Sequence, residues 1–405
     1  MRALVIGGSL GGLFAAHLLS RSGWEVDVFE KVGDDLASRG AGIGTHRELL
    51  ALLARLGIAL DERVGARVGE RVCLERDGSE RHRHPWGHVM SGWASVYAPL
   101  KERFPAARYH FGKAFKSLAE GAGGISARFE DGSGAEGDLL VGADGLRSAV
   151  RAQLFPGVVP QYAGYVAWRG LVAETALPAE LRRELGNTYW MGLPEGEMFV
   201  GYPVPAREPA PGRRDWNWVW YRPTTDAALA DFSTDATGRR HGAGGIPPPL
   251  VRPDVIAAMK RDAHALLAPL IARLVDASQP FFQAIFDLES PRVAAGRAVI
   301  LGDAAFVARP HVGMGVTKAA LDAQCLADSL SSERDVAAAL ARYDRLRSEF
   351  GRRCVARARR LGAYIEARSR PERGWTAEEL DQRPERLLRE IARELSEIPE
   401  LAVET

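Results

Sequence analysis

A short apolar run, Ala3-Leu4-Val5-Ile6, passes directly into Gly7-Gly8-Ser9-Leu10-Gly11-Gly12. This junction constrains the fold more than any other stretch of the chain. Consecutive apolar residues with β-branched members predict a buried parallel strand. Leu13, Ala16, His17 and Leu19 then recur at helical spacing until Ser22-Gly23, and Glu25-Val26-Asp27-Val28-Phe29-Glu30 alternates as a second strand. The order is strand, glycine turn, helix and strand, with a carboxylate at the end. A dinucleotide needs each part. Its pyrophosphate rests on the unpaired amides and positive dipole end of the first helix. Glycines let the backbone approach phosphate and let the helix pack on the strand. Glu30 lies near the spacing of a carboxylate that accepts from ribose hydroxyls and disfavours a 2′-phosphate, which predicts FAD or NAD rather than NADP. Ser9 departs from the G-x-G-x-x-G pattern, but serine is small and donates to phosphate. Gly7, Ser9, Leu10, Gly11, Gly12, Glu30 and its neighbour Lys31 are therefore candidate cofactor-binding residues.

Composition narrows the partners. Among 405 residues, 53 basic and 52 acidic side chains leave a formal charge of +1, against the basic excess of a nucleic-acid binder. Cys73, Cys325 and Cys354 are too scattered for a disulfide framework or a metal site, which suits a reducing cytoplasm. No apolar run is long enough to span a bilayer. The start of the chain enters the glycine motif without the pattern of a signal peptide.

Further motifs follow. Arg39-Gly40-Ala41-Gly42-Ile43-Gly44 is a second glycine-rich turn, and Asp138-Leu139-Leu140-Val141 runs into Gly142-Ala143-Asp144-Gly145. Ala298-Val299-Ile300-Leu301 leads into Gly302-Asp303, then Arg309-Pro310-His311-Val312-Gly313-Met314-Gly315-Val316-Thr317-Lys318 and a helix. Asp303 ends a predicted buried strand, where its carboxylate can accept from hydroxyls; a helix N-cap is the plainer alternative. Asp144-Gly145 alone also reads as an ordinary turn.

The order of these motifs resembles the single-component FAD-dependent aromatic hydroxylases with the para-hydroxybenzoate hydroxylase fold, over roughly residues 1–360. The resemblance implies that Gly7, Gly12 and Glu30 hold ADP, and that Asp303 contacts the flavin's ribityl chain. Asp144 then lies near the flavin–NAD(P)H region, and amides from Gly313 to Gly315 and Val316 face the flavin. Arg39 and Gly42 join this cofactor set. Phe306 replaces a common His and Thr317 a common Asn. With Arg309-Pro310-His311, Gly164-Tyr165-Val166-Ala167-Trp168-Arg169-Gly170, Tyr202-Pro203-Val204-Pro205 and Arg108-Tyr109-His110, these look like the 2,6-dihydroxypyridine hydroxylase branch. His311 and Arg309 would then sit near the flavin edge, where either can bind an ionised substrate hydroxyl or merely cap the loop. Lys318 is the one lysine beside that turn.

The middle of the chain is alternating and aromatic, with strands predicted at Phe199–Tyr202 and Trp216–Tyr221. Tyr202, Trp190 and Phe282 are expected as pocket walls, with Tyr202 grouped with His311 and Arg309 as catalytic candidates. The stretch from Thr224 to Pro253 reads as a surface excursion. His82, His84 and His88 read as a solvated loop rather than a metal site. Near the end, Thr376-Ala377-Glu378-Glu379 is a capping box, and Leu387, Leu388, Ile391, Leu395 and Ile398 form a helical stripe that packs on its own domain or makes a homodimer contact.

The expected architecture is α/β. A Rossmann-like FAD-binding domain occupies 1–160 and 286–365, a mostly antiparallel substrate-binding β-sheet is inserted at 161–285, and a helical tail covers 366–405. The expected activity is hydroxylation of an electron-rich aromatic or heteroaromatic ring, such as a hydroxypyridine, with FAD, NADH or NADPH, and O2. A tailoring oxygenase for a larger phenolic product and a flavin oxidoreductase without oxygen insertion are the alternatives.

Overall fold

The computed structural model describes residues 1–34, 36, 42–58, 65–206, 212–242 and 245–401. The glycine junction folds as its pattern predicts: β1 (Arg2–Ile6), α1 (Leu10–Arg21) and β2 (Glu25–Phe29). β1 pairs in parallel with both β2 and Leu139–Gly142, and the latter with Ala298–Ile300. Ala294–Ala295 and Tyr109–His110 complete a six-stranded sheet. Its central strands are buried because helices cover them, as parallel strands require. Leu4, Val5, Leu140, Val299 and Phe14 of α1 all share one apolar core.

A nine-stranded sheet follows the order Phe306–Val307, Phe281–Glu289, Gln161–Ala173, Arg214–Pro223, Met198–Pro205, Thr188–Gly192, β4 (Ala66–Leu74), β5 (Glu80–Gly92) and β3 (Gly42–Thr45). Neighbours are antiparallel except where Thr188–Gly192 meets β4. β3 to β5 lie in sequence within 1–160, yet they build the far edge of this larger sheet. The architecture is a Rossmann-like α/β domain carrying a mostly antiparallel sheet and a helical C-terminal region.

Alternation decides what each face of the large sheet touches. Trp216, Trp218 and Trp220 point to one side, where they pack with the helices Pro253–Leu266 and Pro269–Asp276. Val219 and Tyr221 point to the other, beside Tyr165, Tyr202 and Tyr364.

Several expectations change here. Trp190 and Phe282 belong to the helix-covered face, because their registers share the parity of the tryptophans, so neither is a pocket wall with Tyr202. The excursion from Thr224 contains a helix, Asp226–Phe232, and buries Ile246 and Val251 against the same helices. His82, His84 and His88 lie on β5 instead of a loop, and His88 is buried. The helix Val336–Ser369 runs past the expected boundary at 365. The capping box forms reciprocally between Thr376 and Glu379, yet no α-helix follows it. The apolar stripe is buried, but the helix carrying it spans only Pro384–Glu390, because Ile391 turns extended and Ala392 adopts a φ of 47°. Among the described residues, no helix is long and apolar enough to cross a membrane, and no His, Cys, Asp or Glu cluster suits a metal ion.

Candidate functional site

The nucleotide cradle is made of backbone. Gly7 turns with a φ of 103°, a region that penalises any side chain. At Gly12 a Cβ would lie 1.9 Å from the Gly7 carbonyl oxygen, so the first turn of α1 rides directly on the glycine turn. Ser9 is the N-cap, but its hydroxyl makes no capping bond, and the first turn holds no acidic residue. The amides of Leu10, Gly11 and Gly12 are left without intrahelical partners at the positive end of the dipole. Glu30 accepts from the amides of Gly8 at 2.8 Å and Val32 at 2.9 Å, which ties β2 to the turn. Lys31 is exposed beside it. A cradle that a single Cβ would fill, lined with free amides, fits a pyrophosphate.

The second part lies after Ala298–Ile300. Asp303 is exposed and accepts no hydrogen bond among the described residues. Surrounding protein nevertheless raises its carboxyl above the ordinary value, with Lys318 pulling it down and Asp322 pushing it up. Both facts suit a carboxylate on a concave wall, open to solvent yet crowded by protein. The turn that carries it is braced from beneath. The Gly302 amide donates to Asp322 at 2.9 Å, and Lys318 donates to the Gly302 carbonyl at 2.8 Å and to Asp322 at 3.1 Å. Arg347 donates to Asp322 at 2.7 Å. Burial opposes ionisation of Asp322, but the Lys318 and Arg347 cations outweigh it and hold the carboxyl below its ordinary value. Lys318 is thus a buried brace. Gly313, at a φ of 67°, opens the helix Gly315–Ser332, whose first turn lacks a side-chain cap and any acidic residue. The amides of Gly315 and Val316 are free there.

The third part is the face of the large sheet opposite the tryptophans, which Tyr364 and the C-terminal segment cover. Tyr202 stands opposite Asn217 in register. Asn217 Oδ1 accepts from the Gly42 amide at 3.0 Å, and a Cβ on Gly42 would lie 2.6 Å from the Tyr202 ring. The glycine-rich segment therefore meets this face. Arg169 shares the face and favours ionisation of both Tyr202 and Tyr221, but burial prevails. Tyr221 is pushed up to about 12 and Tyr202 higher, so both hydroxyls stay protonated. Arg169 Nε and Asn217 Nδ2 are buried with no partner, as are Tyr364 Oη, His311 Nδ1 and Arg309 Nη1. Unpaired buried polar atoms are rare because each costs free energy, and those of Arg169 and Asn217 share one sheet face, where one acceptor-rich group would satisfy both.

Other candidates take different places. Arg309 is 1% exposed, and its charge is spent on Asp287 at 2.7 Å and Glu366 at 2.6 Å. His311 is equally buried; Nε2 and the Tyr165 hydroxyl share a 2.7 Å bond, and Tyr221 packs on its ring. Burial and the Arg309 cation push its pKa down to about 3, so the imidazole is neutral. Asp144 caps the helix Ala149–Leu154, accepting from the amides of Ala149 at 2.7 Å and Val150 at 3.2 Å. Arg39 lies outside the described residues. Sequence reasoning missed Arg169, Asn217, Asp322 and Arg347. Asn217 carried one signal, as the polar residue between tryptophans in Trp216-Asn217-Trp218; Asp322 and Arg347 carried none, since each looks like an ordinary helix-surface charge.

Several known proteins are similar to this chain. The family described as NAD(P)-binding Rossmann-like domain matches residues 5–39, and the FAD binding domain-like family matches 162–287. The 2,6-dihydroxypyridine 3-monooxygenase of Paenarthrobacter nicotinovorans is 30% identical over 384 residues, covering 90% of this chain and 91% of that protein. A solved structure of 2,6-dihydroxypyridine-3-hydroxylase from Arthrobacter nicotinovorans has a TM-score of 0.82 at 28% identity, covering 90% and 92% of the two chains. One of Klebsiella pneumoniae HpxO complexed with FAD and uric acid has a TM-score of 0.75 at 25% identity, covering 96% and 95%. This chain belongs to the FAD-dependent aromatic-ring monooxygenases. Its cofactors are FAD and a nicotinamide electron donor.

Proposed function

We propose that this enzyme hydroxylates a small, electron-rich ring carrying an ionised oxygen, such as a hydroxypyridine, held between the face of the large sheet opposite the tryptophans and the C-terminal segment. The supporting observation is the pair of buried, unpaired donors on that face, Arg169 Nε and Asn217 Nδ2. Donors favour an acceptor-rich ligand, and a guanidinium favours an anion. FAD, when bound, supplies the redox chemistry: it takes a hydride from NADH or NADPH and passes the electrons to O2. The residues that would hold it are Gly7, Ser9, Leu10, Gly11, Gly12 and Glu30 for its ADP half, and Asp303, Gly313, Gly315 and Val316 for its flavin half. The free amides of Gly315 and Val316 stabilise negative charge on a group placed before them. Arg169 and Asn217 orient the ring and favour its anion, while the protonated Tyr202 and Tyr221 donate hydrogen bonds and exclude water. Leu387, Leu388, Ile391 and Ala392 pack on the same face. That favours a single ring over a polycyclic product. The formal charge of +1 supports an enzyme without a nucleic-acid partner, and the three scattered free cysteines support a reducing cytoplasm.

The test is NADH and NADPH oxidation by the FAD-loaded protein across hydroxypyridines, phenols and polycyclic phenols under labelled O2. The expected result is oxidation coupled to a ring product carrying one labelled oxygen, fastest with single rings. Equal turnover without O2, given another electron acceptor and yielding no oxygenated product, would replace this reading with that of a flavin oxidoreductase.

A further inference from the structure

A second polar site lies on the far edge of the large sheet. β5, the start of the helix Arg47–Arg55 and the C-terminal segment enclose a cavity of about 230 Å³. Arg47, Arg71, Arg389 and Arg393 all line it, against the carboxylates of Glu394 and Glu397. Glu394 is already engaged, by the Arg47 amide at 3.2 Å and by His88 Nδ1 at 3.0 Å. Glu397 lies 3.5 Å from Arg393. No carboxylate among the described residues pairs with the guanidinium of Arg47 or Arg389. Positive charge is in excess.

Two buried groups show that this is more than a patch of surface arginines. Arg71 is 1% exposed, and its Nε has no partner. His88 is 4% exposed, and its Nε2 has no partner. Both rings of contact are rigid: the Arg71 guanidinium lies 3.3 Å from the Trp86 ring centre, and His88 stacks on the same ring at 4.3 Å. The unpaired Nε of Arg71, fixed on the cavity wall, is a donor waiting for an acceptor. Guanidinium groups match the oxygens of phosphate and carboxylate.

The site reaches the flavin-facing turn through the C-terminal segment. Arg71 donates to the carbonyls of Leu388 at 2.5 Å and Ala392 at 3.4 Å. The Ala392 amide donates to the His311 carbonyl at 3.1 Å. A Cβ on Gly313 would lie 2.6 Å from the Ala392 Cβ. We propose that the cavity binds an oxyanion, the phosphate or carboxylate group of a small ligand, and that its occupant fastens the C-terminal segment onto the flavin-facing turn.

The test begins with calorimetric titration of the FAD-loaded protein with inorganic phosphate and with malonate at low ionic strength. Saturable binding is expected for at least one, weakened at least tenfold in Arg47→Gln/Arg389→Gln and unchanged in Arg83→Gln, on β5 outside the cavity lining. Both mutated arginines in the double variant are exposed, and its thermal midpoint and flavin absorbance check that it folds. Absence of saturable binding to either anion, or an unchanged affinity in the double variant, overturns the site. Saturating anion should also slow tryptic cleavage within residues 384–401 at least threefold in the parent and not in the double variant; unchanged cleavage overturns the fastening. Phosphate that competes with NADPH or NADH during flavin reduction identifies the occupant as the donor's phosphate, and phosphate that binds without competing identifies a free oxyanion. The titration needs no turnover, so its failure is separable from failure of the proposed hydroxylation.

Discussion

At the glycine turn the free donors are consecutive backbone amides, and the surrounding side chains act mainly by being absent. On the face of the large sheet opposite the tryptophans the donors are the side chains of Arg169, Tyr202 and Asn217, carried by the strands Gln161–Ala173, Met198–Pro205 and Arg214–Pro223. The first region is rigid because its atoms have nowhere to go: a Cβ at Gly12 would meet Gly7 at 1.9 Å. The second is held by sheet register, and each donor can be removed without moving the backbone. A backbone site should therefore fail completely when altered, and a side-chain site should fail by degrees. The first suits an unchanging cofactor, and the second suits a substrate.

Four experiments would break or sharpen this contrast. The largest effect is expected at the brace beneath the Gly302-Asp303 turn. Asp322→Asn leaves Lys318 and Arg347 buried without a counter-charge, and breaking such a pair costs about 3–5 kcal/mol. Denaturant unfolding should show that loss. A variant of parental stability would mean that the cofactor wall is as tolerant as the sheet face.

Gly12→Ala comes next. Its methyl group has no room, so FAD affinity should fall by roughly a hundredfold, about 3 kcal/mol. The purified protein should then lack its yellow colour, as flavin absorbance and FAD titration would reveal.

Arg169→Met should keep FAD and raise the KM for substrate by about thirtyfold, close to 2 kcal/mol, since it removes one charged partner. Loss of FAD in this variant would show that the two regions are not independent.

The smallest effect concerns pH. His311 is held neutral, with its pKa pushed down to about 3 by burial and by Arg309. An unfolded chain binds a proton at an ordinary histidine near pH 6.5. Stability from this group is therefore full above that value and is lost as pH falls toward 3. Between pH 6.5 and 5 the loss should reach about 2 kcal/mol at most. Unfolding curves of His311→Gln at the two pH values should lack that increment. An equal pH slope in parent and variant would place the acid sensitivity elsewhere, for example at His46, whose pKa burial pushes down to about 4.

Legibility followed the same divide. The strand, turn, helix and strand around Gly7, Gly12 and Glu30 were readable because that unit is written in consecutive residues: a buried strand, residues without side chains, and a carboxylate one strand later. The Gly302-Asp303 turn and the helix after Gly313 were readable for the same reason. Arg309 was misplaced because a lone arginine near a flavin-facing turn looks free until Asp287 and Glu366 are brought to it by other elements. The C-terminal stripe was recognised as apolar, yet its break at Ala392 was invisible, since an alanine gives no local signal for positive φ.

By itself the sequence determined the class: a Rossmann-like dinucleotide-binding α/β domain together with a mostly antiparallel aromatic sheet. Local periodicity and steric need fix those features over a few residues. Tertiary structure alone decided which face of the sheet carries Arg169, Tyr202 and Asn217 and which meets the helices Pro253–Leu266 and Pro269–Asp276. It also decided that Asp322, Lys318 and Arg347 brace Asp303, and that the C-terminal segment joins an arginine-lined cavity to His311 and Gly313. Those outcomes rest on charges and registers contributed by distant segments. A charge that looks solvated in a linear reading acquires its role only when folding chooses its neighbour.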